Sequence, residues 1–326
     1  MRCILVVGRD FIALKALTAL ARAGFEICEI WTGNRKFPGL PSAPFIPPFS
    51  APYKKQLAAA VRRSSARPRL IERPIARALD TALAEAPEFD VLVCAGSEII
   101  FPGPFLERLR GRAVNFHPAL LPHYKGPLPI HALLIDGMAD LHGGMTLHLL
   151  EAEIDAGPIL AQRKLPVSDY ASPGLWIDEV IGAMEPMIAG DLVDYLQGRI
   201  EPVPQPPGAG SYFSREEVRL DAGPGQTVER VRAYLAASPA LERWAKAIVP
   251  VGRRERSIPV KGEPHVLGAP TGAPPEIRMG HIEFDALDAR IVLRRLTRPE
   301  RMLRKMRKRK RGQRRSLYRR MKLRSM

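Results

Sequence analysis

The first 32 residues alternate apolar runs with an amphipathic stretch. The run ILVV comes first. Leu14, Leu17 and Leu20 then share one helical face, and Gly24 ends that stretch before the apolar run FEICEIWT. A strand, a helix and a strand in this order predict a βαβ unit that begins a doubly wound sheet. Gly8 stands alone in the first turn, without a GxGxxG pattern, so a dinucleotide site is not indicated.

Strands and helices continue to alternate along the next part of the chain. We predict strands at FDVLVCAGSEII and AVNFH, helices at PGPFLERLRGR and PIHALLIDG, and two strands in GMTLHLLEAEIDAGPILAQRKLPV. A long amphipathic helix, LWIDEVIGAMEPMIAGDLVDYLQG, closes this unit. Six prolines between Phe37 and Pro52 predict an extended surface loop.

A smaller unit follows a proline-rich segment. We predict a helix at TVERVRAYLAA and short strands at SIPVKG, EPHVLG, GHIEF and ARIVLRRL, a pattern typical of a barrel-like domain. The predicted fold class is therefore α/β, a doubly wound, mostly parallel sheet with a smaller C-terminal β domain. The predicted organisation is an α/β domain over 1–201, a linker over 202–211, an OB-like domain over 212–298 and a basic tail over 299–326.

The net charge of +16 belongs almost wholly to the tail. Residues 301–326 hold 14 of the 50 Lys and Arg residues and no acid, so the rest of the chain is nearly balanced. A block of like charge is often a disordered solubilising tail. An RNA backbone is an alternative partner, and the apolar residues within the tail also permit an amphipathic helix on an anionic membrane.

Cysteine usage and hydropathy indicate the compartment. Cys3, Cys28 and Cys94 each lie in an apolar run, which predicts buried thiols, a reducing environment and no disulfide framework. The first apolar run is too short for a signal peptide, and no run approaches the ~20 residues of a membrane-spanning helix. We expect a soluble cytoplasmic protein.

The stretch NFHPALLPHYKG places an amide and an imidazole two positions apart. In a strand, Asn115 and His117 would project from one face while Val114 and Phe116 pack on the other. The prolines that follow would end the strand, so the pair would lie at its carboxyl end, where open α/β sheets bind ligands. Such a pair is also consistent with a capped strand end, and alone it leaves catalysis open.

Asp155 lies in the turn EIDAGPIL, where an acidic residue is also a common turn former. The preceding strand, TLHLL, could return this turn to the end of the Asn115 strand. An amide can donate to an oxyanion, an imidazole can accept a proton from an amine, and a carboxylate can orient the imidazole. The three groups together suit acyl-type transfer. No Ser or Cys adjoins His117, so a covalent intermediate is not indicated.

Five of the seven histidines lie between His117 and His148, but their spacing does not indicate a metal centre. There is no HExxH and no paired CxxC, and predicted helices and turns separate the histidines. We therefore predict no metal. His123 and His131 are assigned to a loop and a helix surface, and His148 to a strand where it alternates with leucines.

These motifs, in this order, resemble the folate-dependent formyltransferase family, whose members act on methionyl-tRNA, glycinamide ribonucleotide or amino sugars. The family pattern is similar to Asn-x-His-x-Ser-Leu-Leu-Pro-x-x-x-Gly, followed by a Gly-x-Thr-x-His strand and an Asp-x-Gly turn. This chain has NFHPALLPHYKG and then GGMTLHLLEAEIDAGPIL, and the resemblance spans roughly Met1 to Leu196. Ala119 stands where the family usually has Ser.

The resemblance implies transfer of a formyl group from 10-formyltetrahydrofolate to a primary amine. By motif position, Asn115 would stabilise the oxyanion and His117 would assist proton transfer. Asp155 would hold His117 and help a water molecule protonate the leaving folate nitrogen. The resemblance also implies that two segments flank the pterin, largely through backbone groups: Glu98, Ile99 and Ile100, and Ala119, Leu120, Leu121 and Pro122.

The resemblance does not name the amine. VERVRAY and GHIEFDALDARIVLRRL are similar to the second domain of methionyl-tRNA formyltransferases, but ASPALERW and GPLPIH depart from the expected Asn-Pro-Trp-Pro and Gly-Ala-Ala-Pro-Ile-Gln. A basic loop approaches the acceptor stem in the tRNA enzymes. We predict methionyl-tRNA as acceptor, bound through the basic tail and through Arg35, Lys36, Lys54 and Lys55.

Two alternatives remain from the sequence. The acceptor could be a nucleotide-linked amino sugar or a hydroxyornithine-type amine, since amino-sugar formyltransferases can have a similar second domain. The chain could also be an inactive relative that binds nucleic acid. The intact Asn115, His117 and Asp155 argue against that second alternative.

Overall fold

The computed structural model describes residues 1–8, 10–43, 46, 52–215, 217–240, 245–296 and 300. Within these residues the strands are β1 (Arg2–Val7), β2 (Glu26–Thr32), β3 (Arg67–Leu70), β4 (Val91–Ala95), β5 (Ala113–His117), β6 (Gly144–Leu149), β7 (Ile159–Lys164), β8 (Leu220–Asp221), β9 (Lys246–Val251), β10 (Arg254–Gly268), β11 (Glu276–Ile277), β12 (His281–Asp285) and β13 (Arg290–Arg295). The helices are α1 (Asp10–Arg22), α2 (Pro52–Ser64), α3 (Ile75–Glu85), α4 (Gly103–Leu109), α5 (Pro129–Ile135), α6 (Ala139–His142), α7 (Pro173–Gly182), α8 (Met184–Met187), α9 (Val193–Leu196) and α10 (Val228–Ala240).

The first sheet has seven strands in the order β3-β2-β1-β4-β5-β6-β7. The strands from β3 to β5 are parallel, and β6 and β7 complete the sheet in antiparallel pairs. Strands β1 and β4 are almost wholly buried, as expected for apolar strands covered by helices on both faces. The predicted doubly wound, mostly parallel sheet is confirmed.

Helices cover both faces of this sheet. Helices α1, α2 and α7 supply buried side chains to the core on one face, while α3 and α4 pack on the other face. From β1 the sheet extends to β2 on one side and to β4 on the other, so the strand order switches direction between β1 and β4. Ligands of open α/β sheets bind at the carboxyl ends of strands around such a point.

The second sheet has the order β11-β12-β13-β10-β9-β8 and curls into an antiparallel half-barrel, apart from the parallel β8–β9 pair. The second sheet has a hydrophobic core separate from that of the first, and α10 contributes Val228, Val231 and Leu235 to it. The predicted smaller barrel-like unit is therefore confirmed as a half-barrel.

Several local predictions need correction. SIPVKG and EPHVLG form one strand, β10, because Gly262 lies inside it at φ 77° with a local shift in register and does not end it. Strand β9 was not predicted. Phe37, expected in a surface loop, is buried, and Cys28 is only half-buried.

The predicted long helix is continuous but irregular. It consists of α7, α8 and α9 with a π-helical turn at Ile188–Leu192. No helix in the described part of the chain is long and apolar enough to cross a membrane. Residues 301–326 of the predicted basic tail and much of the proline-rich loop lie outside the described residues.

Candidate active site

Strand β5 places Asn115 and His117 at its carboxyl end, as predicted. Strand β6 runs antiparallel beside it, with His148 opposite Asn115 and Thr146 opposite His117. The turn that follows β6 carries Asp155 back to the same end of β5, where its carboxylate contacts both side chains. The structure thus brings together the amide, the imidazole and the carboxylate that the sequence singled out.

The hydrogen bonds of His117 define its neutral tautomer. Its Nε2 lies 2.8 Å from the carbonyl oxygen of Tyr124, which can only accept, so the proton of a neutral ring belongs on Nε2. Its Nδ1 lies 3.4 Å from Oδ2 of Asp155. A neutral His117 therefore presents an unprotonated Nδ1 beside the carboxylate.

His148 belongs to the same cluster, although the sequence analysis assigned it only to a strand. Its Nδ1 donates to the backbone oxygen of Leu149 at 2.7 Å, which leaves Nε2 to accept from Nδ2 of Asn115 at 3.0 Å. The same amide nitrogen donates to Oδ1 of Asp155 at 3.3 Å. The signal was present in the Gly-x-Thr-x-His strand, because position 148 faces position 115 once the strands pair.

Asp155 is held in an uncommon backbone conformation. Its φ is 54°, in the left-handed region that Asp tolerates better than most residues. Its Oδ2 accepts from the backbone N–H of Gly126 at 2.9 Å, and its carbonyl oxygen accepts from Nε2 of Gln205 at 2.9 Å. Gln205, in the predicted linker, also donates to Gly157 at 2.8 Å, so this segment braces the turn.

The electrostatics favour an ionised Asp155 beside a neutral His117. Burial is the largest influence on the pKa of His117 and lowers it, against the opposing effect of the carboxylate. Burial acts to raise the pKa of Asp155, but His117, His148 and the Gly126 amide outweigh it and lower that pKa well below its ordinary value. The site therefore presents a base and a fixed negative charge at neutral pH.

Cys94 is the nearest thiol in the sheet, since it pairs with Asn115 between β4 and β5. Burial raises the pKa of this thiol to about 12. The thiolate is the nucleophilic form of cysteine, so Cys94 is unreactive at neutral pH. Cys94 is therefore not an activated nucleophile beside His117.

The loop from Ala119 to Pro122, one of the two predicted folate-flanking segments, is held by β6 and β7. Thr146 donates its hydroxyl to the oxygen of Ala119 at 2.6 Å and accepts from the N–H of Leu121 at 3.1 Å. Gln162 donates to the oxygen of Leu121 at 2.8 Å. These backbone groups of Ala119 and Leu121 are already hydrogen-bonded within the chain. A pterin bound here would therefore contact other groups of the loop or replace these hydrogen bonds.

The other predicted segment follows β4 at the switch point. Glu98 is exposed and pairs with Arg215 at 3.0 Å, and the N–H of Ile99 bonds to Ser97. Ile100 is 63% exposed. A Cβ at Gly8 would lie 3.0 Å from the oxygen of Gly96, so the turn after β1 closes against this segment.

The basic residues predicted to bind RNA lie after β2 and at the start of α2. Lys54 lies 3.8 Å from Asp10, whose other oxygen accepts from Asn34, the neighbour of Arg35 and Lys36. Arg35 pairs with Glu72. Lys54 and Lys55 lie in the first turn of α2. Arg35 thus follows β2 and Lys54 lies at the start of α2, both at the carboxyl edge of the first sheet.

A shallow pocket of about 380 Å³ opens beside the Asp155 turn. It is lined by Lys125, Glu153, Ile154 and residues 208–212. Lys125 is buried, with its ammonium 4.0 Å from Glu153. Within the described ranges, no group of three or more His, Cys, Asp and Glu side chains is placed to hold a metal ion.

Comparisons with known proteins show which family this chain resembles. Residues 51–175 match the family model described as formyl transferase. A methionyl-tRNA formyltransferase from Listeria monocytogenes is 34% identical over 147 residues, 44% of this chain and 46% of that protein. One from Roseiflexus castenholzii is 37% identical over 139 residues, 41% of this chain and 44% of that protein. The match thus spans less than half the length of these relatives.

Solved structures extend the likeness of fold to both sheets. An N-formyltransferase from Helicobacter canadensis, in complex with folinic acid and dTDP-3-aminofucose, is 15% identical and covers 91% of this chain and 100% of its own, with a TM-score of 0.55. A 4-N formyltransferase from Francisella tularensis is 15% identical and covers 80% and 98%, with a TM-score of 0.53. The resemblance to the formyltransferase family is therefore confirmed, in sequence over 51–175 and in fold over most of the chain.

Proposed function

We propose that this protein is an enzyme that transfers a formyl group from 10-formyltetrahydrofolate to a primary amine. The observation that supports this most directly is the cluster in which Asp155 contacts both His117, at 3.4 Å, and Asn115, at 3.3 Å. A base, an anion and an amide donor within hydrogen-bonding reach are what direct acyl transfer to an amine requires.

His117 is the proposed proton carrier. Its Nδ1 would accept a proton from the amine as the nitrogen bonds to the formyl carbon and the carbonyl electron pair moves to the oxygen. When that carbonyl re-forms, the bond between the formyl carbon and the folate nitrogen breaks, and the proton is returned to that nitrogen, through a water molecule held near Asp155. The carbonyl oxygen of Tyr124 engages Nε2, so Nδ1, beside Asp155, is the basic position of the neutral ring.

Asn115 is the proposed donor to the formyl oxygen as negative charge develops there. Its two amide hydrogens point at His148 and Asp155, and the longer contact, 3.3 Å to Asp155, is the one we expect to be exchanged for the formyl oxygen. His148 keeps the amide oriented during that exchange. Donors aimed at developing charge are typically worth about 10²–10³ in rate.

Exposed apolar side chains next to Asp155 in the chain and in the segment after β4 could pack against the flat rings of a folate. Ile154, next to Asp155, is 39% exposed, and Ile100 is 63% exposed. Pockets that bind such ligands combine apolar walls with a few polar groups that orient the ligand. The folate would supply the activated formyl group, and we propose Glu98 to Ile100 and Ala119 to Pro122 as its flanking segments.

We propose methionyl-tRNA as the acceptor. The supporting observations are the curated relatives of that name and the position of Arg35 and Lys54 at the carboxyl edge of the first sheet. Cations there would contact phosphates, and the basic tail would add salt-dependent affinity. A nucleotide-linked amino sugar is the alternative acceptor, favoured by the structural neighbour that was solved with dTDP-3-aminofucose.

The test is to incubate the protein with 10-formyltetrahydrofolate and a panel of amines while measuring tetrahydrofolate release. The panel contains methionyl-tRNA, a dTDP-amino sugar and a hydroxyornithine, with uncharged tRNA as the matched control. Release with methionyl-tRNA but not with uncharged tRNA supports the proposal. Release with only the sugar or the hydroxyornithine would identify that amine as the acceptor in place of methionyl-tRNA. No release with any amine would contradict formyl transfer.

A further inference from the structure

The segment from Ser211 to Phe213 lies along the loop that supports the catalytic cluster. The N–H of Lys125 donates to the oxygen of Ser211 at 2.8 Å, and the N–H of Phe213 donates to the oxygen of Lys125 at 2.9 Å. The N–H of Tyr124 donates to the hydroxyl of Ser211 at 3.0 Å. This segment leads from the first sheet to the second, and it pairs with the loop as a short parallel bridge.

The other side of the same loop contacts the catalytic groups. The carbonyl oxygen of Tyr124 accepts from His117, and the N–H of Gly126 donates to Asp155. A loop of three residues therefore has the proposed base and its carboxylate on one side and the connecting segment on the other. Any displacement of Ser211 to Phe213 would move both supports of the His117–Asp155 pair.

The second unit reaches this loop through a chain of partly buried polar side chains. Arg230, on α10, contacts Oδ1 of Asp136 at 2.8 Å, and Oδ2 of Asp136 lies 3.4 Å from the hydroxyl of Tyr124. The ring of Tyr124 stacks on Phe213, with centroids 4.8 Å apart and planes 3° from parallel. Arg230 also donates to the backbone oxygen of Glu217 at 2.6 Å, which ties α10 to the segment beyond Phe213.

The Tyr124 hydroxyl stays protonated. Burial is the main cause that raises the pKa of Tyr124 to about 12, and the nearby Asp136 carboxylate adds to it. The phenol therefore remains a donor to Asp136 at any pH at which the protein would act. Arg230 in turn balances the charge of Asp136, which is mostly buried.

We propose that Arg230 and Asp136 are positioning residues, which act through Tyr124 to hold His117 and Asp155 in their reactive arrangement. The inference rests on the proposed function and deepens it, because it makes docking of the second unit a condition for catalysis in the first. Neither residue contacts the reacting atoms. Loss of their contact should lower kcat and leave KM for the folate unchanged.

The close approach of the backbones explains why the effect would be transmitted. A Cβ at Gly126 would lie 2.4 Å from the oxygen of Phe213, and one at Gly210 would lie 1.8 Å from the oxygen of Pro122. The two segments are thus in contact with no room for a side chain between them. A small shift in a catalytic group can cost about 10²-fold in rate.

The test compares Arg230→Gln with Arg232→Gln in the full chain. Both substitutions remove an arginine from α10, but Arg232 pairs with Glu229 and Glu263, away from the loop. Two readouts are used: hydrogen–deuterium exchange of the amides of residues 124–126, and kcat and KM for formyl transfer. We expect Arg230→Gln to raise exchange in these amides and to lower kcat roughly 10- to 100-fold, with no such change in Arg232→Gln.

Further variants and the exchange readout make each outcome decisive. Tyr124→Phe removes only the hydroxyl and should show a smaller rise in amide exchange and a smaller fall in kcat. This variant replaces Arg230→Gln in the test if Arg230→Gln does not fold. Asp136→Asn combined with Arg230→Gln replaces the ion pair with a neutral hydrogen-bonded pair and should recover most of kcat. Exchange does not depend on activity, so it still tests the coupling if formyl transfer is absent. Equal exchange in Arg230→Gln, Tyr124→Phe and Arg232→Gln overturns the inference.

Discussion

Asn115 and His148 face each other across neighbouring strands, with Nδ2 of the amide 3.0 Å from Nε2 of the imidazole. Because Nδ1 of His148 donates to a backbone oxygen, Nε2 has only a lone pair to offer, and it fixes which end of the amide points at Asp155. The donor in the proposed reaction thus depends on a histidine that does not itself contact the reacting atoms.

Replacing His148 tests that dependence. We expect His148→Leu, which removes the acceptor, to lower kcat by roughly one to two orders of magnitude because the amide of Asn115 loses its orientation. His148→Gln can still present an oxygen to that amide, so it should retain more activity. Circular dichroism would confirm folding, and equal kcat values for the two variants would contradict this role.

Gly126 is required by both its conformation and its surroundings. Its φ is 109°, and an added Cβ would lie 2.4 Å from the backbone oxygen of Phe213. Gly126→Ala should therefore displace the N–H that binds Asp155, lowering both activity and the melting temperature. Gly137→Ala is the matched control, since its φ is 69° and a Cβ there would meet nothing within 4 Å. The strained backbone conformation alone costs about 1–3 kcal/mol of stability in either variant. A smaller loss of stability in Gly126→Ala than in Gly137→Ala would therefore contradict the steric account.

Thr146 secures the loop after β5 with one hydroxyl. Thr146→Val removes its bonds to Ala119 and Leu121 and leaves a buried N–H without its partner, which should cost about 1–3 kcal/mol of unfolding free energy. Thr146→Ser keeps the hydroxyl and should lose much less. Urea denaturation measures the unfolding free energy of both variants. Equal stability of the two would contradict a stabilising role for the Thr146 hydroxyl.

Activity should depend on pH through His117. Because burial lowers the pKa of His117, the imidazole stays neutral at pH 7, and kcat should fall only below its ordinary value of 6.5. An acidic limb centred above pH 6.5 would contradict the assignment of His117 as the base. The pH–rate profile of kcat is the measurement.

Stability should vary in the same range for the same reason. Because the pKa of His117 is lower in the folded state than in the unfolded state, its contribution to stability is fully present above pH 6.5, the pKa of the unfolded state. This contribution is lost as the pH falls from 6.5 towards the folded-state pKa. The pKa of Asp155 is also lowered, so its contribution is complete above the ordinary value of 3.8 and is lost progressively as the pH falls below that value. We expect the unfolding free energy to decline as the pH falls below 6.5, and His117→Gln to flatten that decline.

The sequence allowed much of the first sheet and three members of the site to be predicted. The apolar runs at β1 and β4 are long enough to specify buried parallel strands, and the two-residue spacing of Asn115 and His117 specifies a shared face. Asp155 could be added because a hairpin must return it to β5. His148 was missed as a site residue because its alternation with leucines looks the same in a core strand, and only strand register reveals its partner.

The remaining errors have similar causes. Gly262 predicts a turn locally, but pairing with β13 carries β10 through it. Tyr124 and Arg230 show no pattern in the sequence, because their contacts join residues that are far apart in the chain. Such relationships depend on the packing of one unit against the other, which no local periodicity encodes.

The central claim is that Asn115, His117 and Asp155 together move a formyl group. The most direct test is single-turnover formyl transfer from 10-formyltetrahydrofolate by Asn115→Ala, His117→Ala and Asp155→Ala, each checked for folding, with His281→Ala on β12 as a histidine control. The account predicts a loss of about 10²-fold or more in each of the three and none in the control. A folded variant of any of the three that transfers the formyl group at nearly the unmodified rate would contradict it.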